Sequence, residues 1–165
     1  MGINNVEAKA VPRAVLDSNV YIAAYLTKNP RSPNKEIFRH WRDSRFTLLV
    51  SKSILTEVVE KFDKYGIAQQ LTFDLLAHIL TYAVHINVPE KSVKAIIPAD
   101  RDDDLILACA VVGRADYLVT YDPHFDVLGG EYEGIKIVDG LHFLYVVRGD
   151  AKPGGIDSVE GKSIQ

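Results

Sequence analysis

Residues 14–22 read Ala-Val-Leu-Asp-Ser-Asn-Val-Tyr-Ile, so three polar residues join an apolar strand-like segment to an apolar helix-like segment. In an open α/β sheet, ligands bind beyond the carboxyl ends of the strands, and an acid at that point is better explained by function than by packing. Asp17, Ser18 and Asn19 supply more polar side chains than a helix N-cap needs, although each of them is able to cap. We therefore interpret Asp17 as a site residue, and Asn19 as either a cap or a side chain that orients Asp17 or a metal-bound water.

Short apolar runs alternate with helical patterns along the rest of the chain. We predict strands at 13–16, 46–50, 84–88, 117–120 and 135–138, helices at 20–26, 35–43, 52–65, 69–82 and 104–113, and a final apolar segment at 141–147. This alternation is typical of an α/β protein, with a parallel sheet, right-handed crossovers and helices on both faces. The apolar strand 14–16 suits the centre of the sheet, whereas Lys136 makes 135–138 suit an edge.

The length and composition indicate one domain. A chain of 165 residues can bury a sizeable core but is too short for two comfortable domains. We predict a folded domain over 13–147, a polar lead-in over 1–12 and a flexible tail over 148–165, which is rich in Gly and Pro. No apolar stretch approaches the roughly 20 residues that span a bilayer, and the amino terminus lacks a secretory pattern. We therefore expect a cytoplasmic protein without a membrane partner.

The charge and cysteine content exclude some classes of site. The net charge of −3 gives no overall basic field for nucleic acid, although acids that bind a cation would be partly neutralised. Cys109 is the single cysteine, which excludes an intrachain disulfide and a cysteine zinc cluster. Its apolar neighbours predict a buried structural thiol.

Two further acids lie near predicted strand ends. Glu57 lies a turn or so past the strand tip at Val50 and Ser51, where its side chain can reach across the same edge, although taken alone it is explained as a charge on the flank of a buried helix face. Asp122 follows strand 117–120, whose last residue is Thr120, and a turn aspartate explains it equally well. His124 is more simply a surface loop histidine than a group that binds substrate.

The run Asp102-Asp103-Asp104 opens an apolar helix. Compensation of the helix dipole accounts for acids at such a position, at about 0.3 to 1 kcal/mol each. Three adjacent acids repel one another, however, so a bound cation explains the run better. Asp104 is the leading ligand in this interpretation and Asp103 the next. An all-oxygen cluster without cysteine favours Mg²⁺ or Mn²⁺, which commonly serve phosphate chemistry.

Four segments together resemble a PIN domain, and in detail the PIN-family toxin components of prokaryotic toxin-antitoxin systems. They are 15–20 (Val-Leu-Asp-Ser-Asn-Val), 51–57 (Ser-Lys-Ser-Ile-Leu-Thr-Glu), 102–104 followed by Leu107-Ala108, and 115–122 (Ala-Asp-Tyr-Leu-Val-Thr-Tyr-Asp). The similarity covers about residues 13–145. It implies a three-layer α/β/α fold with a five-stranded parallel sheet, an antitoxin partner whose peptide occupies the active groove, and a homodimer or higher homo-oligomer.

The resemblance also implies a Mg²⁺- or Mn²⁺-dependent ribonuclease. The acidic positions of that family fall on Asp17, Glu57, Asp104 and Asp122, and Asp103 shares the ligand role if the register of the acidic run differs. Ser18 stands where threonine is commoner and keeps the hydroxyl. Ser18, Asn19 and Thr120 then support the acids.

The main hypothesis is an endoribonuclease that acts on RNA as the toxin of a toxin-antitoxin pair, with Arg101 beside the acids to meet a scissile phosphate. The first alternative is a non-catalytic PIN-like module that binds RNA or protein. The second is a phosphoryl-transfer enzyme with Asp17 as nucleophile, and it ranks last because no second aspartate follows two residues later.

Overall fold

The computed structural model of the protein describes residues 10–98 and 100–149. The predicted lead-in over 1–12 and tail over 148–165 lie mostly outside the described residues. The strands are β1 Arg13–Leu16, β2 Thr47–Val50, β3 Val84–His85, β4 Tyr117–Val119, β5 Glu131–Tyr132 and β6 Ile135–Val138. The α-helices are α1 Ser18–Leu26, α2 Pro33–Arg42, α3 Lys52–Lys64, α4 Gln69–Tyr82, α5 Arg101–Val112 and α6 Gly140–Arg148. Within these ranges, no helix is long and apolar enough to cross a membrane.

The strands form one sheet in the order β3-β2-β1-β4-β6-β5. All five predicted strands are present and parallel to one another, which confirms the α/β class. β1 lies at the centre between β2 and β4, as its apolar sequence predicts. β3 is shorter than predicted, although the amide of Ile86 still donates to the carbonyl of Val50 at 2.7 Å.

The prediction that β6 is an edge strand is wrong, because β5 pairs with its outer side in an antiparallel hairpin. The two turn residues, Glu133 and Gly134, have φ angles of 48° and 84°. Two consecutive residues with positive φ are typical of the tightest hairpin turns. The sequence analysis missed β5 because a two-residue strand has no periodicity and Glu-Gly is a weak turn signal.

Helices cover both faces of the sheet. The chain moves along the sheet in one direction from β1 to β2 and in the opposite direction from β3 to β4. Because crossovers between parallel strands are right-handed, α5 lies on the face opposite α1 and α2. α5 packs on β1, β2 and β4 with Leu107 and Cys109 buried, and the predicted buried thiol is confirmed. The final apolar segment is a helix, α6, which packs on α2 and β4.

Candidate active site

Asp17 lies just beyond β1 at the centre of the carboxyl edge and is 2% exposed. It occupies the N-cap position of α1, but its side chain makes no capping hydrogen bond. Its Oδ2 instead accepts from Thr120 Oγ1 at 2.7 Å and from Asn19 Nδ2 at 3.5 Å. Burial raises the pKa of Asp17, and the nearby charge of Glu57 adds to this, while the Thr120 hydrogen bond opposes it. The side chain of Asp17 therefore does not cap α1, and its carboxylate is directed to Thr120 and Asn19 instead.

Thr120 connects Asp17 to Asp122. Its Oγ1 accepts from the backbone amide of Asp122 at 3.0 Å while its hydroxyl donates to Asp17. Asp122 Oδ1 accepts from the backbone amide of His124 at 2.9 Å, at the start of the 3-10 turn Pro123–Leu128. Asp122 is therefore a turn aspartate, and its carboxylate also faces the ring of His124, with Oδ1 3.4 Å from Nδ1. The turn position of Asp122 is therefore compatible with a place among the acids at the strand ends.

Asp103 is buried on the first turn of α5, 4% exposed, and its Oδ2 lies 2.9 Å from Nδ1 of His124. Burial raises the pKa of Asp103 to about 6, and the negative charges of Asp122, Asp100 and Asp17 act in the same direction. The hydrogen bond with Asp103 and the charge of Asp122 raise the pKa of His124. Asp103 thus shares the electrostatic field of Asp17 and Asp122.

A group of possible metal ligands is centred on Asp103. One ligand atom each from Asp100, Asp103 and His124 lies within 4.8 Å of the other two, among the residues that the structure describes. The sequence analysis gave no role to Asp100 and judged His124 a surface residue. The usable signals were an acid two positions before the acidic run and a histidine two positions after Asp122.

Asp104 is positioned differently from Asp103. Its Oδ1 accepts from the backbone amides of Ile96 at 3.0 Å and Ile97 at 2.7 Å, so it fastens the preceding loop to α5. Its charge acts on Tyr132, at the β5 end of the sheet. Side chains of neighbouring helical residues point about 100° apart, which separates these two aspartates. Asp103 therefore contacts His124 beside Asp122, whereas Asp104 contacts the loop before α5, and Asp102 is exposed.

Glu57 reaches the carboxyl edge from α3. Its Oε2 accepts from Ser18 Oγ and lies 2.9 Å from Nζ of Lys61. Lys61 Nζ also donates to Ser18 Oγ at 3.0 Å and to Asn19 Oδ1 at 3.5 Å. The sequence analysis missed Lys61, although its spacing of four residues from Glu57 is a recognisable helical pair.

Arg101 has an acidic partner already. Its guanidinium pairs with Glu90 on the 3-10 turn Glu90–Ser92, and both side chains are exposed. Arg101 therefore lies beside the acidic run, as expected, but its charge is directed to Glu90 in this structure.

A cleft of about 500 Å³ borders the acids between the start of α3 and the segment after β3. Three acids, Glu57, Glu60 and Asp102, line it together with polar side chains and a lysine: Ser51, Lys52, Ser53, Thr56 and Asn87.

A family model described as a PIN domain matches residues 13–124. The chain belongs to the PIN domain family. The matched range includes every acid described above, and the resemblance seen in the sequence is confirmed at the family level. No curated protein sequence matches the chain significantly.

The solved structures that are similar to this PIN domain include the crystal structure of VapBC2 from Rickettsia felis bound to a DNA fragment from their promoter. The TM-score is 0.53 with 17% sequence identity, and the match covers 77% of this chain and 98% of that chain. At this identity the similarity establishes the fold, with its layers of helices around a mostly parallel sheet.

Proposed function

We propose that this PIN domain protein is a metal-dependent endoribonuclease that hydrolyses RNA phosphodiester bonds. The observation that carries the proposal is the chain of contacts at the carboxyl edge of the sheet: Thr120 joins Asp17 to Asp122, and His124 lies between Asp122 and Asp103. Such an edge is where ligands bind in α/β folds. Buried acids with raised pKa values are also a recognised mark of functional sites.

The donor set fits a hard divalent cation. Burial and mutual repulsion disfavour the ionised forms of Asp17 and Asp103. A divalent cation would offset that repulsion, and carboxylate oxygens are the ligands that Mg²⁺ and Mn²⁺ prefer. Asp17, Asp103 and Asp122 would hold the ion, with Asp100 as a further acid close to Asp103. His124 adds a nitrogen donor beside Asp103, which suits Mn²⁺ better than Mg²⁺.

When bound, a divalent cation polarises the phosphoryl group and lowers the pKa of an attacking water. The chain supplies the positioning. Thr120 holds the carboxylate of Asp17 by a hydrogen bond, and Asn19 makes a longer one to the same oxygen. Ser18 holds Glu57 in the same way on the neighbouring helix. Removal of a group that orients a metal ligand by a hydrogen bond typically reduces metal affinity or activity tenfold to a hundredfold.

RNA is the proposed substrate and the toxin of a toxin-antitoxin pair the proposed biological role. The PIN family membership supports an RNA substrate. The similarity in fold to a VapBC2 chain supports an antitoxin protein as partner and a homodimer or higher homo-oligomer. A cytoplasmic location follows from this role.

The test is cleavage of labelled single-stranded and structured RNAs by the purified full chain in Mn²⁺, Mg²⁺ or EDTA. Asp17→Asn should reduce metal-dependent cleavage by about 10³-fold or more, because a catalytic metal supplies several kcal/mol and each 1.4 kcal/mol is a factor of ten. Asp43→Asn, an exposed aspartate that caps the end of α2, is the matched control and should cleave like wild type. Saturable RNA binding without metal-stimulated cleavage would favour the non-catalytic binding module instead.

A further inference from the structure

Lys61 lies inside the acidic site rather than on the outer surface of α3. Its side chain is 34% exposed, and its ammonium contacts Glu57 on its own helix and two residues of α1. A surface pair of Glu and Lys at this spacing contributes only a few tenths of a kcal/mol and leaves the lysine mostly in water. Here the ammonium instead joins the two helices that follow β1 and β2.

The ammonium has a complete set of acceptors. A lysine has three N–H donors, and three oxygens lie within reach of Nζ. They are Oε2 of Glu57 at 2.9 Å, Oγ of Ser18 at 3.0 Å and Oδ1 of Asn19 at 3.5 Å. This arrangement holds Lys61 in one position, and it commits the donors that a phosphate group would need.

The charge of Lys61 acts on the Glu57 side of the site. Its ammonium pairs directly with Glu57 and donates to the side chains of Ser18 and Asn19, the two residues that follow Asp17. Lys64, one turn further along α3, is exposed and lies over the ring of Tyr65 at 5.6 Å from its centroid. The two lysines therefore differ in environment although they share a helix.

We propose that Lys61 is a built-in cation that takes the place of a second divalent ion on the Glu57 side, so that the protein binds one catalytic ion, held by Asp17, Asp103 and Asp122. The inference rests on the proposed function, since it assumes that these acids bind a divalent ion. Lys61 is in this view a positioning residue, because it acts through Glu57 and Ser18 rather than on the substrate.

The experiment counts bound Mn²⁺ by calorimetry and by electron paramagnetic resonance, on the full chain at pH 7.5. Wild type should bind one Mn²⁺. Lys61→Met should gain a second site or bind Mn²⁺ about tenfold more tightly, because it removes a competing positive charge. Lys61→Arg keeps that charge and should bind one ion, and Lys64→Met, the matched control, should match wild type.

Two results would overturn the inference: two Mn²⁺ ions in wild type, or identical binding in wild type and folded Lys61→Met. Thermal denaturation checks that each variant folds. Even if Lys61→Met does not fold, the number of Mn²⁺ ions bound by wild type still tests the inference. The proposed function fails separately. If wild type neither binds Mn²⁺ nor cleaves RNA, both proposals fall, whereas one ion bound with equal affinity in both proteins, with cleavage intact, contradicts only the role of Lys61.

Discussion

The acidic edge has two sides, and a carboxylate on each side is paired with a different kind of basic residue. On the α3 side, Glu57 is paired with Lys61 from its own helix. On the α5 side, Asp103 is paired with His124 from the loop after β4. Both carboxylates thus have a basic partner, at 2.9 Å in each case.

The two sides differ in whether the basic partner keeps its positive charge at physiological pH. The hydrogen bond and charge of Glu57 outweigh burial and raise the pKa of Lys61, so this lysine stays charged throughout the physiological range. A histidine loses its charge near neutral pH, and the ring of His124 is 46% exposed. The α5 side is therefore the one that can exchange its proton for a divalent ion. One acidic cluster thus combines a fixed positive charge, Lys61, with an exchangeable one, His124.

The largest expected effect separates Asp103 from its neighbour Asp104. Asp103→Asn should reduce metal-dependent cleavage by about 10³-fold, since it removes a proposed ligand while preserving size. Asp104→Asn should retain cleavage and lose stability, by about 1 to 3 kcal/mol, because it weakens the acceptor of the Ile96 and Ile97 amides. Cleavage assays and chemical denaturation of both variants provide the measurement. Loss of cleavage only in Asp104→Asn would reverse the assignment.

A smaller effect is expected from the hydroxyls that hold the acids on each side. Thr120→Val removes the hydrogen bond to Asp17 and the acceptor of the Asp122 amide, so Mn²⁺ affinity should fall about 10- to 100-fold. Ser18→Ala acts on the Glu57 side, which binds no ion in the present proposal, and should weaken Mn²⁺ binding less. Calorimetric titration of both variants compares them. A greater loss in Ser18→Ala would mean that the ion is held on the α3 side.

The smallest effect is a pH dependence of stability. Asp103 has a pKa of about 6 in the folded protein against 3.8 when unperturbed, so the folded state binds more protons between these values. Stability without metal should therefore fall as pH rises from about 4 to about 6. The raised pKa of His124 acts in the same direction above its unperturbed value of 6.5, since its stabilising charge is lost as pH rises through the folded pKa.

Added Mn²⁺ should accordingly raise the melting temperature more at pH 8 than at pH 5, because protons no longer compete for Asp103. Thermal denaturation in EDTA and in Mn²⁺ at both pH values measures this. Asp103→Asn is the control and should lose most of the difference. An equal Mn²⁺ effect at both pH values in wild type would contradict the exchangeable role of the α5 side.

Much of the fold was predictable because its signals are local. The alternation of apolar runs and helical patterns identified the five parallel strands, and the uninterrupted apolar run of β1 placed it at the centre. The hairpin of β5 was missed because its pairing with β6 depends on two turn residues of positive φ rather than on a repeating pattern. The edge position expected for β6 failed for the same reason.

The amino-acid pattern alone predicts the fold class, the family and the gathering of Asp17 and Asp122 at one edge, because parallel strands put their carboxyl ends together. The three-dimensional packing was needed to show that Asp103, rather than Asp104, contacts His124 beside Asp122, since a change of one residue turns a helical side chain by about 100°. It also decided the partners of each acid. The pairing of Asp103 with His124, and the contacts of Lys61 with Ser18 and Asn19, join residues far apart in the chain through packing that no local pattern encodes.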